Sequence, residues 1–194
     1  MRRLCVFCGS STGNRAVFAD TARRLAAAMT KRRLGLVYGA GNIGLMGILA
    51  DEVLREGGEV IGVIPQALVD REVAHEGLTQ RHIVSTMHER KALMADLADG
   101  FAALPGGFGT ADELFEILTW AQLGLHSKPI GLLNVAGFFD PLLAWLDQMV
   151  TARFLRPEHR ALLLTASESE ELLDRLVSYH ATDSPQKWIA DEDR

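Results

Sequence analysis

Residues 104–113 read Leu-Pro-Gly-Gly-Phe-Gly-Thr-Ala-Asp-Glu, and the rest of the chain is organised around them. The apolar run 101–104 leads into this stretch and has the length of a buried strand, while the largely apolar residues 114–125 behind it have the length of a helix. We therefore predict a strand, a glycine-rich turn and the start of a helix. Such a turn lets the backbone approach a ligand closely because glycine has no Cβ, and the unpaired N–H groups that begin a helix favour an anion.

Glu113 has two interpretations at this position. Thr110 is a favourable N-cap, and Glu113 three residues later completes the T-x-x-E pattern of a capping box, in which its carboxylate would only bond back to the cap. Acidic residues at a helix start also suit the macrodipole without any chemistry. The alternative is a catalytic carboxylate beside the glycine turn, and a second charged segment, described below, favours that alternative.

Composition describes an ordinary globular protein of 194 residues, of which 48% are hydrophobic and 23% charged. We predict a single domain over residues 1–180 and a polar C-terminal tail over 181–194. The net charge of -5 counts against nucleic-acid binding. The apolar run 4–7 is too short for a signal-peptide core, and no run approaches the roughly 20 residues of a membrane span, so we expect a cytoplasmic protein without a membrane partner.

Cys5 and Cys8 form a C-x-x-C pattern, which near a β-α-β arrangement can mark a redox pair. Redox pairs of this kind open a helix, where the macrodipole lowers the thiol pKa, but Cys5 falls in the middle of a predicted strand. The two side chains would point to opposite faces of that strand if it runs through Cys8. We therefore favour buried, inert cysteines over dithiol chemistry.

The whole chain alternates between strand-like and helix-like segments. Strands are predicted at 4–7, 36–38, 59–64, 82–84, 101–104 and 129–133, and helices at 15–33, 47–56, 86–98, 114–125, 139–151 and 167–179. Apolar strands without polar alternation, separated by helices, indicate a parallel sheet with helices on both faces. The predicted fold is a doubly wound, Rossmann-like α/β domain.

Three turns would lie where such folds bind ligands, beyond the carboxyl ends of the strands: 9–13, 39–47 and 105–110. The second turn contains G-x-G-x-x-G at Gly39, Gly41 and Gly44, but the next strand ends Val-Ile-Pro-Gln at 63–66, without the acid that would hold a dinucleotide ribose. The pattern thus favours phosphate binding and argues against a nicotinamide cofactor. Three such turns in one small domain suggest a nucleoside monophosphate.

The second charged segment is Thr-Met-His-Glu-Arg-Lys at 86–91. Arg90 extends the apolar stripe of its helix, and both Arg90 and Lys91 lie near the helix start, where the macrodipole opposes a cation. A buried cation needs a partner. That partner is either an internal carboxylate, such as Glu113 or Glu116, or a substrate phosphate or ribose, and the planar, bidentate guanidinium favours the substrate.

At these residues the sequence resembles a known family. Met-His-Glu-Arg-Lys at 87–91, followed by Pro-Gly-Gly-Phe-Gly-Thr-x-x-Glu at 105–113, is similar to the paired signature of the LOG (Lonely Guy) family. The resemblance runs from Leu4 to Leu164 and includes Cys-Gly-Ser-Ser at 8–11, Tyr-Gly-Ala-Gly at 38–41, Gly-Leu-Met-Gly at 44–47 and Thr-Trp-Ala-Gln-Leu-Gly at 119–124.

This resemblance implies a cytokinin riboside 5′-monophosphate phosphoribohydrolase, which splits an N6-modified AMP into free base and ribose 5-phosphate without a metal or organic cofactor. It implies Arg90 and Glu113 as the catalytic pair. The resemblance further implies that the nucleotide pocket is lined by Lys91, Gly106, Gly107, Gly109, Thr110 and Asp112, with Thr119 nearby, and that Glu72 contacts the substrate. The turns and the start of the helix at 114–125 add these predicted substrate-binding residues: Gly9, Ser10, Gly39, Gly41, Gly44, Met46 and Glu116. Asp112 departs from the family, which usually has glutamate there, so its contact to the ribose could be lost or water-mediated.

Two other functions stay open at this point. One is a general AMP or nucleotide nucleosidase, and the other is a non-catalytic nucleotide-binding module, which would not require the Arg90 and Glu113 pair. The family's older label, lysine decarboxylase, is disfavoured because that chemistry needs pyridoxal phosphate on a Schiff-base lysine. The chain has only four lysines, and Lys91 alone lies in a motif.

The helix predicted at 114–125 also suggests a partner, because its only polar side chains are Glu116, Thr119 and Gln122. A helix that is apolar nearly all round is buried on more than one side. Either it is sunk within its own domain or a second copy covers it, and we expect a homodimer with the site near the interface, as the resemblance implies.

Overall fold

A computed structural model describes residues 1–69 and 74–180. The elements follow in the order β1 (Arg3–Phe7), α1 (Ala16–Lys31), β2 (Gly35–Tyr38), α2 (Gly44–Arg55), β3 (Val60–Pro65), α3 (Gln66–Val69), β4 (Gln80–Val84), α4 (Met87–Leu97), β5 (Gly100–Ala103), α5 (Phe108–Gln122), β6 (Ile130–Leu133), α6 (Asp140–Thr151), α7 (Pro157–Arg160), β7 (Leu163–Ala166) and α8 (Ser169–Val177). A 3₁₀ turn, Val135–Gly137, precedes α6. The predicted tail, 181–194, lies outside the described residues.

The strands form one parallel sheet in the order β4-β3-β2-β1-β5-β6-β7. The chain winds outward from β1 in one direction and then restarts at β5 on its other side, which confirms the doubly wound, Rossmann-like prediction. Phe7 at the end of β1 is in register with Ala103 at the end of β5. The turns that follow β1 and β5 therefore leave the sheet side by side, at the point where the strand order reverses.

Helices cover both faces of the sheet, as the apolar strands predict. One core packs α1, α2 and α8 against the sheet and includes Cys8, and the other packs α4, α5 and α6 and includes Cys5. Both cysteines are free thiols whose burial raises their pKa above the usual range. The prediction that both cysteines are buried is confirmed; that they are inert stays a prediction, which the raised pKa supports because a thiol that resists ionisation is a poor nucleophile.

Two helix and strand predictions need correction. The helix after the glycine turn begins at Phe108 with Gly107 as its cap, so the prediction of Thr110 as an N-cap was wrong. Thr110 lies instead in the first helical turn and is buried. The edge strand β7 was not predicted, because a four-residue apolar run cannot be told from a helical segment by its periodicity.

In the described part of the chain, no helix is both long enough and apolar enough to cross a bilayer.

Candidate active site

A cavity of about 220 Å³ opens between the turns that follow β1 and β5. Its walls come from the β1 turn, from α2, from α4 and from the start of α5. The lining residues are Cys8, Gly9, Ser10, Met46, Arg90, Gly107, Phe108, Gly109, Thr110 and Glu113. The cavity thus lies where doubly wound sheets bind their ligands.

The turns that follow β1, β2 and β5 pack so closely that two of their glycines are required. A Cβ on Gly106 would come within 2.1 Å of the Thr110 hydroxyl and 2.9 Å of the Gly9 nitrogen, whose N–H donates to the Pro105 carbonyl at 3.1 Å. A Cβ on Gly44, which has a φ of +63°, would overlap the Ser10 backbone. No larger residue fits at either position, so these contacts fix the turns relative to one another.

Gly107 and Gly109 differ from those two glycines, because a Cβ at either would meet nothing within 4 Å. They lie at the cap and in the first turn of α5, a helix of 15 residues. The opening N–H groups of such a helix have no intrahelical partner, and the helix dipole is positive there. A phosphate or carboxylate can therefore approach this backbone without a steric barrier.

Arg90 enters the cavity from α4 and is only 8% exposed. The Thr86 side chain caps α4 by accepting from the Glu89 N–H at 3.1 Å, as predicted, so the helix start is fixed one turn before Arg90. The Arg90 Nη2 donates to the Gly39 carbonyl at 3.2 Å, and Nη1 lies 3.8 Å from the Met87 sulfur. In the described part of the chain, the buried Nε has no hydrogen-bond partner. This arginine therefore keeps an unused donor inside the protein, which a ligand can satisfy.

Gly39 makes this placement of Arg90 possible. A Cβ on Gly39 would lie 1.8 Å from the Arg90 Nη2, so any larger residue would displace the guanidinium. The first glycine of the G-x-G-x-x-G pattern thus makes room for an arginine side chain.

Glu113 lies next to Arg90, with Oε1 3.8 Å from the Arg90 Nη2. That distance is an ion pair without a hydrogen bond. Burial raises the pKa of Glu113 to about 7, against the opposing effect of Arg90 and Lys91 and with a further rise from Asp112 and Glu116. Because the helix is capped at Gly107, the capping-box interpretation of Glu113 is also wrong. A carboxylate that titrates near neutrality inside a cleft is suited to proton transfer.

Lys91, Asp112 and Glu116 form a second charged group, which we call the Lys91 cluster. The Lys91 Nζ lies 3.0 Å from the Asp112 carboxylate and 3.1 Å from the Glu116 carboxylate. Burial by itself would lower the pKa of Lys91, but its hydrogen bonds to Asp112 and Glu116 outweigh that effect and raise it. None of the three residues lines the cavity. The cluster therefore ties α4 to α5 beside the cavity.

The structure brings together both predicted catalytic residues and six of the predicted binding residues in the cavity wall: Gly9, Ser10, Met46, Gly107, Gly109 and Thr110. Gly39, Gly41, Gly44 and Gly106 support that wall from behind. Thr119 does not line it: its hydroxyl donates to the Phe115 carbonyl one turn earlier, and both residues line a separate groove between α5 and α6–α7. Glu72 lies outside the described residues. Cys8 and Phe108 line the cavity without having been predicted to do so, although both stand next to predicted glycines.

The fold and this site define an α/β enzyme of the kind that binds a phosphate-bearing ligand at a glycine turn. A family model described as possible lysine decarboxylase matches residues 46–176. The probable cytokinin riboside 5′-monophosphate phosphoribohydrolase LOGL1 of Oryza sativa subsp. japonica is 50% identical over 177 residues, covering 91% of this chain and 79% of that protein. The cytokinin riboside 5′-monophosphate phosphoribohydrolase LOG5 of Arabidopsis thaliana is 48% identical, covering 92% of this chain and 78% of that protein. The chain belongs to this family, the LOG family.

Solved structures with the same fold include the molybdenum cofactor carrier protein of Chlamydomonas reinhardtii, with a TM-score of 0.68 at 16% identity, covering 92% of this chain and 99% of that one. The molybdenum cofactor binding protein of Rippkaea orientalis has a TM-score of 0.67 at 18% identity, covering 92% of this chain and 99% of that one. At these identities the likeness concerns the fold alone.

The lysines of the site do not fit the Schiff-base cofactor that a lysine decarboxylase requires. Among the described lysines, Lys91 is held between two carboxylates, and the Lys128 Nζ donates to the Ala95 carbonyl at 2.7 Å. None of the three described lysines, Lys31, Lys91 and Lys128, lines the cavity that holds Arg90 and Glu113. An amine that is fully engaged elsewhere cannot form the imine on which that chemistry depends.

Proposed function

We propose that this protein is a phosphoribohydrolase that cleaves the N-glycosidic bond of cytokinin riboside 5′-monophosphates. The products would be the free base and ribose 5-phosphate. The single observation that carries the proposal is the Arg90 and Glu113 pair, buried at the floor of a glycine-turn cavity. Relatives named for this activity, at 48–50% identity, support the choice of reaction.

The 5′-phosphate would bind at the opening N–H groups of α5, where Gly107 and Gly109 leave the backbone open. Ser10, from the turn after β1, lines the same cavity. The phosphate group would take no part in the bond cleavage itself. It would orient the ribose so that remote binding energy is used at the reacting carbon.

The chemical step breaks the bond between C1′ and the base nitrogen, and the bonding electrons leave with the base. Positive charge then develops on the ribose as an oxocarbenium ion, which a nearby carboxylate stabilises. Our hypothesis is that Glu113 supplies that carboxylate. As water forms the new C–O bond to C1′, Glu113 accepts the proton that the water loses. The departing base gains one proton, so the overall step consumes one water.

Arg90 would serve the reaction in two ways. Its unused Nε can bind a phosphate or ribose oxygen in the cavity. Its positive charge also opposes the burial of Glu113, whose pKa of about 7 leaves a substantial part of the carboxylate ionised at neutral pH. Without this cation, less of Glu113 would be in the form that accepts a proton.

Plain AMP is the alternative substrate, because no described wall residue is assigned to the N6 group. The deciding experiment measures free-base release by chromatography from AMP and from isopentenyladenosine monophosphate, with Glu113→Gln as the control. Release that depends on Glu113 and favours the isopentenyl substrate supports the proposal. Equal or faster release from AMP would make the protein a general nucleosidase. Binding of both nucleotides without release would leave a nucleotide-binding module and refute the proposal.

We further propose that the protein works as a homodimer with the site near the interface. An apolar groove of about 220 Å³ runs between the later part of α5 and α6–α7, where Phe115, Leu118, Met149 and Leu155 line it. Phe154 at its rim is 87% exposed. A contiguous apolar groove of this kind is typical of a protein interface. Part of the apolar surface of α5 lines this groove, where a second copy could cover it.

Sedimentation velocity at micromolar concentration tests the dimer. Phe154→Asp should dissociate it, while Val177→Asp, an equally non-conservative change at an exposed valine of α8, should not. A wild-type monomer would refute the dimer. Cytoplasmic location stays a prediction from the sequence.

A further inference from the structure

His75 is engaged on three sides by the structure around the β2–α2 turn. Its Nε2 lies 2.9 Å from the Asp51 Oδ1, and its Nδ1 accepts from the Gly77 N–H at 3.2 Å. Because Nδ1 accepts, the Nε2 carries the proton and donates to the α2 carboxylate. The backbone N–H of His75 also donates to the Ala40 carbonyl at 3.1 Å. The imidazole side chain is only 11% exposed.

These contacts fasten the described segment that begins at Ala74 onto the β2–α2 turn. Ala74 forms an isolated antiparallel bridge with Gly41, directly beside the bond from His75 to Ala40. Ala40 is buried and has a φ of +61°, a conformation that costs a non-glycine residue of order 1 kcal/mol and needs support from its surroundings. The hydrogen bond from the His75 backbone N–H to the Ala40 carbonyl is one such support, and the side-chain bonds of His75 hold that backbone in place.

The same turn holds Arg90. The Gly39 carbonyl, one residue before Ala40, accepts from the Arg90 Nη2, and the Gly39 Cα leaves the room that the guanidinium occupies. A small rotation of the turn at Ala40 would therefore move a hydrogen-bond acceptor of Arg90. No other described protein oxygen accepts a hydrogen bond from this guanidinium, and the Glu113 carboxylate is 3.8 Å away.

We propose that His75 is a positioning residue that, together with Asp51, holds the β2–α2 turn in the conformation that aims Arg90 into the cavity. It touches neither substrate nor reacting atoms. The inference rests on the proposed function, since it deepens the role of Arg90, but its geometry stands on described contacts alone.

Four variants separate the two side-chain bonds. His75→Ala removes both bonds, His75→Gln keeps an N–H donor near Asp51, His75→Asn keeps an acceptor near the Gly77 N–H, and Asp51→Asn keeps the acceptor oxygen without its charge. His180→Ala, at an exposed histidine remote from the turn, is the matched control. The readouts are kcat, KM and the pH profile of kcat/KM for base release, together with the melting temperature.

His75→Ala should lower kcat/KM by about 10- to 100-fold, the order expected when a catalytic group is displaced by about 1 Å. The kcat/KM of His75→Gln and of Asp51→Asn should stay within about fivefold of the wild-type value, since fivefold is the equivalent of one neutral hydrogen bond. The acidic limb of the profile should also move to higher pH, because a less well-placed Arg90 stabilises the Glu113 carboxylate less. Lys91, Asp112 and Glu116, the other charged groups that act on Glu113, are unchanged in these variants.

Two results would overturn the proposal. One is a His75→Ala enzyme with the wild-type rate and profile. The other is a loss that follows the fall in melting temperature equally in all four variants, with the pH limb unmoved, which would make His75 only structural. If His75→Ala does not fold, His75→Asn, which loses the bond to Asp51, should show a larger fall in kcat/KM than Asp51→Asn, and equal rates in the two would overturn the proposal.

Failure of the proposed function can be told apart from failure of this one. If the wild-type protein binds AMP but releases no base, the affinity for AMP measured by calorimetry replaces the rate as readout. A loss of about 10-fold in His75→Ala, partly regained in His75→Gln, would then support the positioning role. Unchanged affinity in both would refute it.

Discussion

Helices α4 and α5 carry two charged groups side by side, and they are built differently. Arg90 and Glu113 lie 3.8 Å apart without a hydrogen bond, and both are nearly buried. Their sequence neighbours Lys91 and Asp112 are joined at 3.0 Å, and Lys91 also binds Glu116 at 3.1 Å. The Asp112 side chain is 60% exposed, against 12% for Glu113. On each helix, one charged residue is thus hydrogen-bonded across to the other helix, while its sequence neighbour pairs without a hydrogen bond.

Under the proposed function, this difference separates a structural ion cluster from a reactive pair, Arg90 and Glu113. In the Lys91 cluster, the single cation lies at hydrogen-bond distance from both carboxylates and links α4 to α5, although the buried Glu116 Oε2 has no hydrogen-bond partner among the described residues. In the pair of Arg90 and Glu113, the Arg90 Nε has no hydrogen-bond partner among the described residues, and burial raises the pKa of Glu113 to about 7. Groups of that kind are retained where a ligand completes them.

The largest expected effect comes from removing the charge of the reactive pair. Glu113→Gln keeps the shape of the side chain but can neither accept the proton of the attacking water nor stabilise an oxocarbenium ion. We expect kcat to fall by about 100-fold or more. Steady-state base release measures it, with Glu158→Gln at an exposed position of α7 as the matched control. Turnover near the wild-type level in Glu113→Gln would remove Glu113 from the chemistry.

The same substitution should reveal what burial of Glu113 costs the fold. Because its folded pKa is raised to about 7, the folded protein binds this proton more tightly than the unfolded chain does. Stability must then decrease as the pH rises from the ordinary pKa of a glutamate to about 7, by on the order of 3 kcal/mol at about 1.4 kcal/mol per pKa unit.

Glu113→Gln lacks this titration. The free energy of unfolding of the variant relative to wild type, measured by urea denaturation, should therefore increase between pH 5 and pH 8. The attraction between Glu113 and Arg90 already contributes to the pKa of about 7 and is nearly absent at pH 5, where Glu113 is protonated, so it does not reverse this trend. If this difference in the free energy of unfolding is independent of pH, burial does not raise the pKa of Glu113.

Much of this arrangement could be predicted from the sequence, and the reasons are local. The strand, glycine turn and helix at 101–125 follow from an apolar run, three glycines and a long apolar segment, and Arg90 was placed in the core by its position on an apolar stripe. The Thr86 cap was predicted from a motif that spans four residues. Each of these signals depends on neighbours in the sequence.

The errors concern contacts between distant segments. Thr110 matches a capping box as well as Thr86 does, yet the packing of Gly106 against Gly9 and Thr110 draws the helix start back to Phe108. The sequence also did not indicate that Lys91 pairs with Asp112, which lies on α5, 21 positions away; nucleotide binding by Lys91 stays a prediction. Sequence spacing within one helix does not indicate which groups a neighbouring helix presents.

Lys91→Met tests whether the Lys91 cluster acts on the reactive pair only through electrostatics. Loss of this cation leaves Asp112 and Glu116 unpaired beside Glu113 and should raise the pKa of Glu113 further. We expect kcat/KM to fall by about 10-fold near pH 6 and to recover most of the way near pH 8.5, since each pKa unit is a factor of ten in protonation. A loss of the same size at every pH would mean that Lys91 contacts the substrate directly, as the sequence predicted.

The smallest effect should come from Asp112, where the chain departs from its family. Asp112→Asn removes an ion pair that is largely exposed, which is worth under about 1 kcal/mol, so kcat/KM should change by less than about fivefold. Asp112→Glu adds one methylene and can either keep the bond to Lys91 or reach toward the ribose. If Asp112→Glu lowers KM for the nucleotide while Asp112→Asn leaves it unchanged, the shorter side chain has given up a substrate contact and keeps only its role in the Lys91 cluster. If Asp112→Asn instead raises KM by 10-fold or more, the two charged groups are not separate, and Asp112 belongs with Glu113 in the substrate site.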